Sequence, residues 1–396
     1  MHICLVYDCL YPYTVGGAER WYRTLAERLV AEGHEVTYLT LRQWPRGAHP
    51  DLAGVNVRSV GPRMKLYSGG RRRILPPLVF GAGVLGHLLR AGRRYDAVHT
   101  DAFPYFALLA ASLVRRRRRF ALVVDWFEVW SRPYWRRYLG PLRGDVGWRV
   151  QRLCIRRPQQ AFCFSHLHAE RLRSQGVGGP VIVLRGLYAG SADGAGGRPA
   201  PEPADPVVVF AGRHIPEKQL PALIPAVAAA RARIPELSAD IFGDGPDRGR
   251  LRELVAEHGL EGVIRLPGFV DPARVEQALR RALCVVLPSR REGFGLIVVE
   301  ASVHGTPSVV VAEPDNAAVE LVEEGVNGFV SRSVRPEDLA AAIVRVHEAG
   351  HRLRESTAAW FAAHAHELSL DGALEAVLAR YSDSSAAGLG VASPRP

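Results

Sequence analysis

Two carboxylates pose the first chemical question. Glu292 and Glu300 are separated by seven residues in the stretch PSRREGFGLIVVEASVHG, Pro288 to Gly305. The apolar run Cys284–Leu287 before it predicts a buried strand. Gly293 and Gly295 flank Phe294, and Leu296–Val303 reads as a largely apolar helix with Glu300 embedded in it. Glycines let backbone N–H groups approach a ligand closely, and a helix N-terminus adds unsatisfied donors and partial positive charge. A helix from Gly295 to Glu300 rises roughly 7–8 Å. That puts Glu292 at the mouth of the loop and Glu300 more than a turn below it. The bland alternative is a capped surface loop with Glu300 on a solvated face. An unpaired carboxylate inside an apolar helix is costly, and this favours a working pair that holds hydroxyls at the two ends of an elongated ligand.

Cations of suitable type lie upstream. VVVFAGRHIPEKQ carries Arg213 and Lys218 just after a strand-like run, and Lys218 is one of two lysines in the chain, the other being Lys65. Arginine binds phosphate in a bidentate manner and lysine acts as a point charge. Nearer the start, Gly16-Gly17-Ala18-Glu19 joins a strand to a helix. Two glycines there permit close approach to a phosphate or sugar, although an ordinary strand-to-helix turn fits the same residues.

Together these residues resemble the family 4 retaining glycosyltransferases, the glycosyl transferases of group 1, whose fold is GT-B: α/β, with two Rossmann-like domains facing each other across a cleft. Their glutamate–seven–glutamate motif matches Glu292 and Glu300. The resemblance implies a metal-independent transfer of sugar from a nucleotide-diphosphate sugar, with a UDP- or GDP-sugar as donor and no cofactor. Arg213 and Lys218 would meet the charge on the departing diphosphate. Glu292 and the backbone from Gly293 through Phe294 and Gly295 to Leu296 would orient sugar hydroxyls, and Glu300 would hold the ribose. Gly16 and Gly17 match the family's glycine-rich first loop. Gly243, in GDGP, and Gly268, in GFV, match loops on which the base and ribose would rest. No Asp-x-Asp follows a strand, since Asp244 and Asp247 have the wrong spacing, so a bound metal is not implied.

The first half departs from the family at one place. A histidine common near the sugar is missing from Val124–Trp130 (VDWFEVW). Asp125 and Glu128 are the polar groups there, either touching acceptor or sugar or standing in an aromatic core, and His99, which ends the preceding strand-like run, is a further candidate contact against a structural reading. The acceptor class stays open among sugar, lipid-linked and small-molecule acceptors. The same fold also supports sugar-nucleotide epimerases, phosphorylases and silent nucleotide-sugar-binding subunits.

The elements that must position these residues follow from periodicity. At 396 residues two domains are the natural prior. Alternating strand and helix patterns give a first domain over 1–189, a Gly/Pro/Ala-rich linker over 190–206 and a second domain over 207–355. A C-terminal helix, 356–381, is expected to return to the first domain, and 382–396 reads as a flexible tail. Gly81–Gly86 (GAGVLG) satisfies a dinucleotide fingerprint but lies in a helix-like run after Pro76-Pro77, so NAD binding is rejected.

The net charge of +11 is carried by arginine. Arg115–Arg119, with Arg71–Arg73 and Arg136-Arg137, suits an anionic membrane surface or an acidic acceptor, and equally fits solvated charge with no partner. No motif supports nucleic-acid binding. Five scattered cysteines without a CxxC argue against a zinc site or disulfide framework. With no signal-like or membrane-spanning stretch, the expected location is the cytoplasm, with peripheral contact at the inner face of the membrane.

Overall fold

The computed structural model describes residues 1–45, 47–68, 71–188 and 201–388. The chain divides into two units, Met1–Ala189 with Leu370–Pro396, and Gly190–Ser369. Most of the expected linker, 190–200, lies outside the described residues. Its last residues are docked on the second unit: the Asp205 carboxylate takes both arms of the Arg281 guanidinium at 2.9 Å.

In the first unit the chain runs β1 (His2–Val6), α1 (Gly17–Ala31), β2 (Glu35–Thr40), β3 (Val55–Ser59), β4 (Tyr67–Ser68), β5 (Arg71–Arg72), α2 (Leu75–Ala91), β6 (Ala97–Asp101) and α3 (Tyr105–Arg118). It continues through β7 (Ala121–Trp126), α4 (Arg132–Leu139), α5 (Pro141–Ile155), β8 (Gln160–Cys163), α6 (His166–Ser174) and β9 (Val181–Val183). Seven strands form one parallel sheet in the order β3-β2-β1-β6-β7-β8-β9. The central strands β1, β6 and β7 are buried almost throughout, as helices on both faces of a parallel sheet require. Gly81 and Gly83 sit inside α2, where a Cβ would stand 2.5 Å from Phe106 Cβ and 1.8 Å from Val60 O. These glycines let α2 pack closely on α3 and on the chain after β3.

The second unit has β10 (Val207–Ala211), α7 (Leu223–Ala230), β11 (Ser238–Phe242), α8 (Arg248–Glu257), β12 (Ile264–Gly268), α9 (Pro272–Arg281) and β13 (Cys284–Leu287). After these come β14 (Arg291–Glu292), α10 (Leu296–Ser302), β15 (Ser308–Val311), β16 (Asp315–Asn316), β17 (Gly328–Ser331) and α11 (Pro336–Leu368). Its six-stranded parallel sheet has the order β12-β11-β10-β13-β15-β17. Arg354 on α11 is buried and donates to the carbonyls of Ala282, at 2.7 Å, and Arg280, at 2.6 Å; burial pushes its guanidinium down to about 10.

Several boundaries differ from the sequence expectation. Asn327 turns the chain with its own side chain, accepting from Glu323 N–H at 2.7 Å and donating to Leu321 O at 2.8 Å, and Gly328 opens strand β17. The C-terminal helix is not a single element over 356–381. Residues up to Leu368 complete α11 in the second unit, with a break in helical geometry at Gly350 (φ 61°). The first unit regains the chain at α12 (Leu370–Gly388), whose last residues fall in the expected tail. Among the described residues no helix is long and apolar enough to cross a membrane.

Candidate functional site

In an open α/β sheet, ligands bind outside the carboxyl ends of the strands, at the point where the strand order reverses. In the second unit that point lies between β10 and β13, which pair in parallel. The loop after β10 carries Arg213 and Lys218, and the loop after β13 carries Ser289 and Glu292. The Lys218 ammonium is ion-paired to Glu292 Oε1, and the Ser289 hydroxyl donates to the same oxygen at 2.7 Å. Both charged side chains are mostly buried, at 17% and 11% exposure.

A frame of hydrogen bonds fixes this pair. Gln219 donates to Pro288 O at 3.1 Å and accepts from the Arg290 guanidinium at 2.7 Å, while Arg290 N–H reaches Glu217 O at 2.9 Å. Gln219 holds a left-handed conformation (φ 48°) that a non-glycine residue adopts only where its surroundings impose it. Glu292 is further set by the two-residue parallel pairing of β14 with β16, opposite Asn316. The Asn316 side chain bonds Val311 O at 2.9 Å and Ala318 N–H at 3.1 Å. Ala318 in turn closes on Gly295, where a Cβ would lie 2.6 Å from its methyl group and the φ is +97°. Gly295 caps α10; Phe294 beside it is buried, and Glu300 is half-buried more than a turn on.

Neighbouring loops stack on the first. Gly243 has φ +113°, and a Cβ there would stand 1.9 Å from Gly212 O. Gly243 N–H bonds Gly268 O at 2.8 Å, and His214 N–H bonds Asp244 O at 2.8 Å, so the loops after β10, β11 and β12 meet through their main chains. Gly268 faces the Arg248 guanidinium. The Arg213 side chain is exposed beside this platform and has no hydrogen-bond or ion-pair partner among the described residues. His214 is fully buried. Its Nε2 meets Phe242 O at 3.3 Å, its Nδ1 has no partner, and burial lowers its pKa. The structure thus gathers Arg213, Lys218, Gly243, Gly268, Glu292, Gly293, Phe294, Gly295, Leu296 and Glu300 along one edge of one sheet.

The other candidates belong to the first unit. Gly16 is the N-cap of α1, and a Cβ on it would collide with the Glu19 carboxylate at 2.4 Å; Gly17 has open space. His99 and Asp125, candidate contacts of acceptor or sugar, are both fully buried in the first unit. Asp125 takes Trp21 Nε1–H at 2.7 Å and His99 Nε2–H at 2.7 Å. That assignment leaves His99 Nδ1 to accept from the Tyr381 hydroxyl of α12 at 2.5 Å. Glu128 accepts from Trp130 Nε1–H at 2.6 Å in an aromatic cluster with Tyr134 and Trp135. Sequence reasoning missed Ser289, Gln219 and His214. The signal for Ser289 was its position three residues before Glu292 on the same loop.

A family model for glycosyl transferases group 1 matches residues 198–359, and one for a glycosyl transferase 4-like domain matches residues 16–186. The chain belongs to the group 1 glycosyltransferases. This group 1 chain is 35% identical over 184 residues to a D-inositol 3-phosphate glycosyltransferase of Streptomyces griseus, covering 44% of this chain and 38% of that protein. It is 31% identical over 141 residues to an alpha-D-kanosaminyltransferase of Streptomyces kanamyceticus, covering 36% of each. These matches span well under half of the relatives' own length. A glycogen synthase of Mycobacterium tuberculosis is 26% identical over 358 residues, 84% of this chain and 83% of that one. Among solved structures, sucrose-phosphate synthase from Thermosynechococcus elongatus superimposes with a TM-score of 0.76 at 20% identity, covering 98% and 99% of the two chains. Anabaena HepE in complex with UDP does so with 0.69 at 19%, covering 97% and 100%. At such identities the likeness shows the GT-B fold alone.

Proposed function

We propose that this glycosyltransferase moves a sugar from a nucleotide-diphosphate donor to a hydroxyl acceptor, with retention at the anomeric carbon and without a metal. The observation that carries the reading is the Lys218–Glu292–Ser289 cluster at the switch point of the second sheet, with the exposed Arg213 beside it. Breaking the bond between the anomeric carbon and the diphosphate leaves negative charge on the leaving group. Preorganised cations stabilise that charge most where water is excluded. Lys218 and Arg213, in the loop after β10, are the cations that supply them in this reading. The acceptor oxygen bonds to the anomeric carbon on the face the diphosphate leaves, and the acceptor proton passes to the departing phosphate oxygen. Glu292 and the loop Gly293–Leu296 orient the sugar, Glu300 the ribose, and Gly243 and Gly268 the base. Relatives support a UDP-type donor: HepE was solved with UDP-glucose, and a pneumococcal O-GlcNAc transferase, at 18% identity, with UDP and GlcNAc.

A thermal-shift panel of UDP-, GDP-, ADP- and dTDP-sugars tests the donor, because a ligand that binds only the folded chain raises its melting point. One donor class is expected to stabilise the protein without added divalent metal, and Glu292→Gln to lower its turnover by about 10²–10³-fold. No stabilisation by any nucleotide sugar, or stabilisation only with metal, overturns the reading.

A further inference from the structure

The first unit carries a surface that its fold leaves uncovered. On α5, Leu142 is 83% exposed, Val146 58% and Leu153 45%. Spaced four and seven residues apart, they line one face of the helix with the exposed Arg149 between them and Arg156 beyond. The opposite face is locked inward. Cys154 and Ile155 are fully buried, and a Cβ at Gly144 or Gly147 would stand 2.5 or 2.6 Å from Trp135 of α4. Rotation of α5 cannot hide the leucines. α3, which packs against α5 on one side and α2 on the other, adds Leu113, 72% exposed, with Arg116 and Arg117 exposed next to it.

Charge follows the same layer. Residues 75–94, 105–119 and 132–157, which hold helices α2 to α5 and the turns that end them, contain sixteen arginines and one acidic residue, Asp145. The arginine cluster read from sequence is only partly available. Arg132 and Arg136 both grip Asp145, Arg115 donates to Pro158 O, Arg118 donates to Leu89 O, and Tyr134 and Trp135 are buried. The side chains of Arg116, Arg117, Arg149 and Arg156, beside the exposed apolar side chains, have no hydrogen-bond or ion-pair partner among the described residues.

We infer that the outer face of α5 and α3, centred on Leu142, Val146, Leu153 and Leu113 within their arginine field, is a docking surface for an anionic lipid bilayer. Arginines draw such a helix to anionic headgroups, and apolar side chains between them enter the acyl boundary. A nucleic acid or acidic glycan would satisfy the arginines but leave four large apolar side chains in water, so the combination selects the bilayer.

The test is flotation of the full chain with vesicles of pure phosphatidylcholine and of phosphatidylcholine containing phosphatidylglycerol. Binding is expected on the anionic vesicles, weakening as salt rises. The triple variant Leu142→Gln/Val146→Gln/Leu153→Gln is expected to lose at least ten-fold in binding, and Arg149→Glu/Arg156→Glu likewise. Because all five side chains are exposed, melting temperature and the nucleotide-sugar thermal shift of these variants are expected to match the parent, which separates this result from the donor reading. Equal flotation of parent and triple variant, no preference for anionic vesicles, or tighter binding to duplex RNA than to vesicles overturns the proposal.

Discussion

Lys218 and Glu292 are 74 residues apart in the chain, yet the ammonium of one is paired with the carboxylate of the other at the facing ends of two adjacent strands. Read separately in sequence, they had separate tasks, one at the phosphate and one at the sugar. The structure couples them, and a change at either reaches the other. Lys218→Ala is expected to lower kcat by about 10²–10³-fold, the size of losing one preorganised stabilising group, with a comparable loss for Glu292→Gln. The double variant should fall little below the worse single, since residues acting as a unit are strongly non-additive. Steady-state turnover of the donor found in the thermal-shift panel measures this. A double variant that multiplies the two losses would show that the groups act independently.

The close stacking of loops at the second sheet depends on glycine where no side chain fits. Gly243→Ala combines a positive φ with a Cβ 1.9 Å from Gly212 O, and is expected to cost at least about 2 kcal/mol and to disrupt donor binding. Gly17→Ala is the contrast, with nothing within 4 Å of its Cβ and an expected stability change within about 0.5 kcal/mol. If turnover falls in Gly17→Ala while urea midpoints stay put, the loss reports a ligand at the glycine pair. An unchanged midpoint for Gly243→Ala would contradict the packing described.

Tyr381 supplies the hydroxyl that satisfies His99 Nδ1 inside the first unit, across 282 residues of chain. Tyr381→Phe preserves the ring and strands a buried nitrogen, so a destabilisation of about 1–3 kcal/mol is expected. Urea unfolding with fluorescence detection reads it. A variant as stable as the parent would mean that α12 is held by its apolar contacts alone.

His214 makes stability fall with acid. Burial lowers its pKa below the ordinary value of about 6.5, so the folded chain binds fewer protons than the unfolded chain as the pH drops. Its contribution is fully present above pH about 6.5 and is lost as the pH falls through the lowered folded value. His214→Gln removes that dependence, and the drop in melting temperature between pH 7.5 and 5.5 is expected to narrow relative to the parent. An identical drop in both proteins would show that other groups carry the acid sensitivity.

The sequence alone determined what is local or strictly patterned. Alternating apolar runs and amphipathic stretches gave two α/β series, because strand and helix periods are written in neighbouring residues. Glycine placement marked the loops after β11 and β12, because the positive φ at Gly243 and Gly268 disfavours other residues. Glu292, Glu300, Arg213 and Lys218 stood out because charged groups in or beside apolar runs need a reason. Tertiary structure decided which distant residues meet. It paired Lys218 with Glu292 and brought Ser289 and Gln219 to them. It drew His99 and Asp125 inward by giving every polar atom of the imidazole a partner, one of them from the far end of the chain. It also turned the leucines of α5 outward, since helical periodicity shows that a stripe exists but only packing against α4 settles which stripe is covered. Contacts between distant segments depend on the summed packing of the whole core, and no short window of sequence contains that sum.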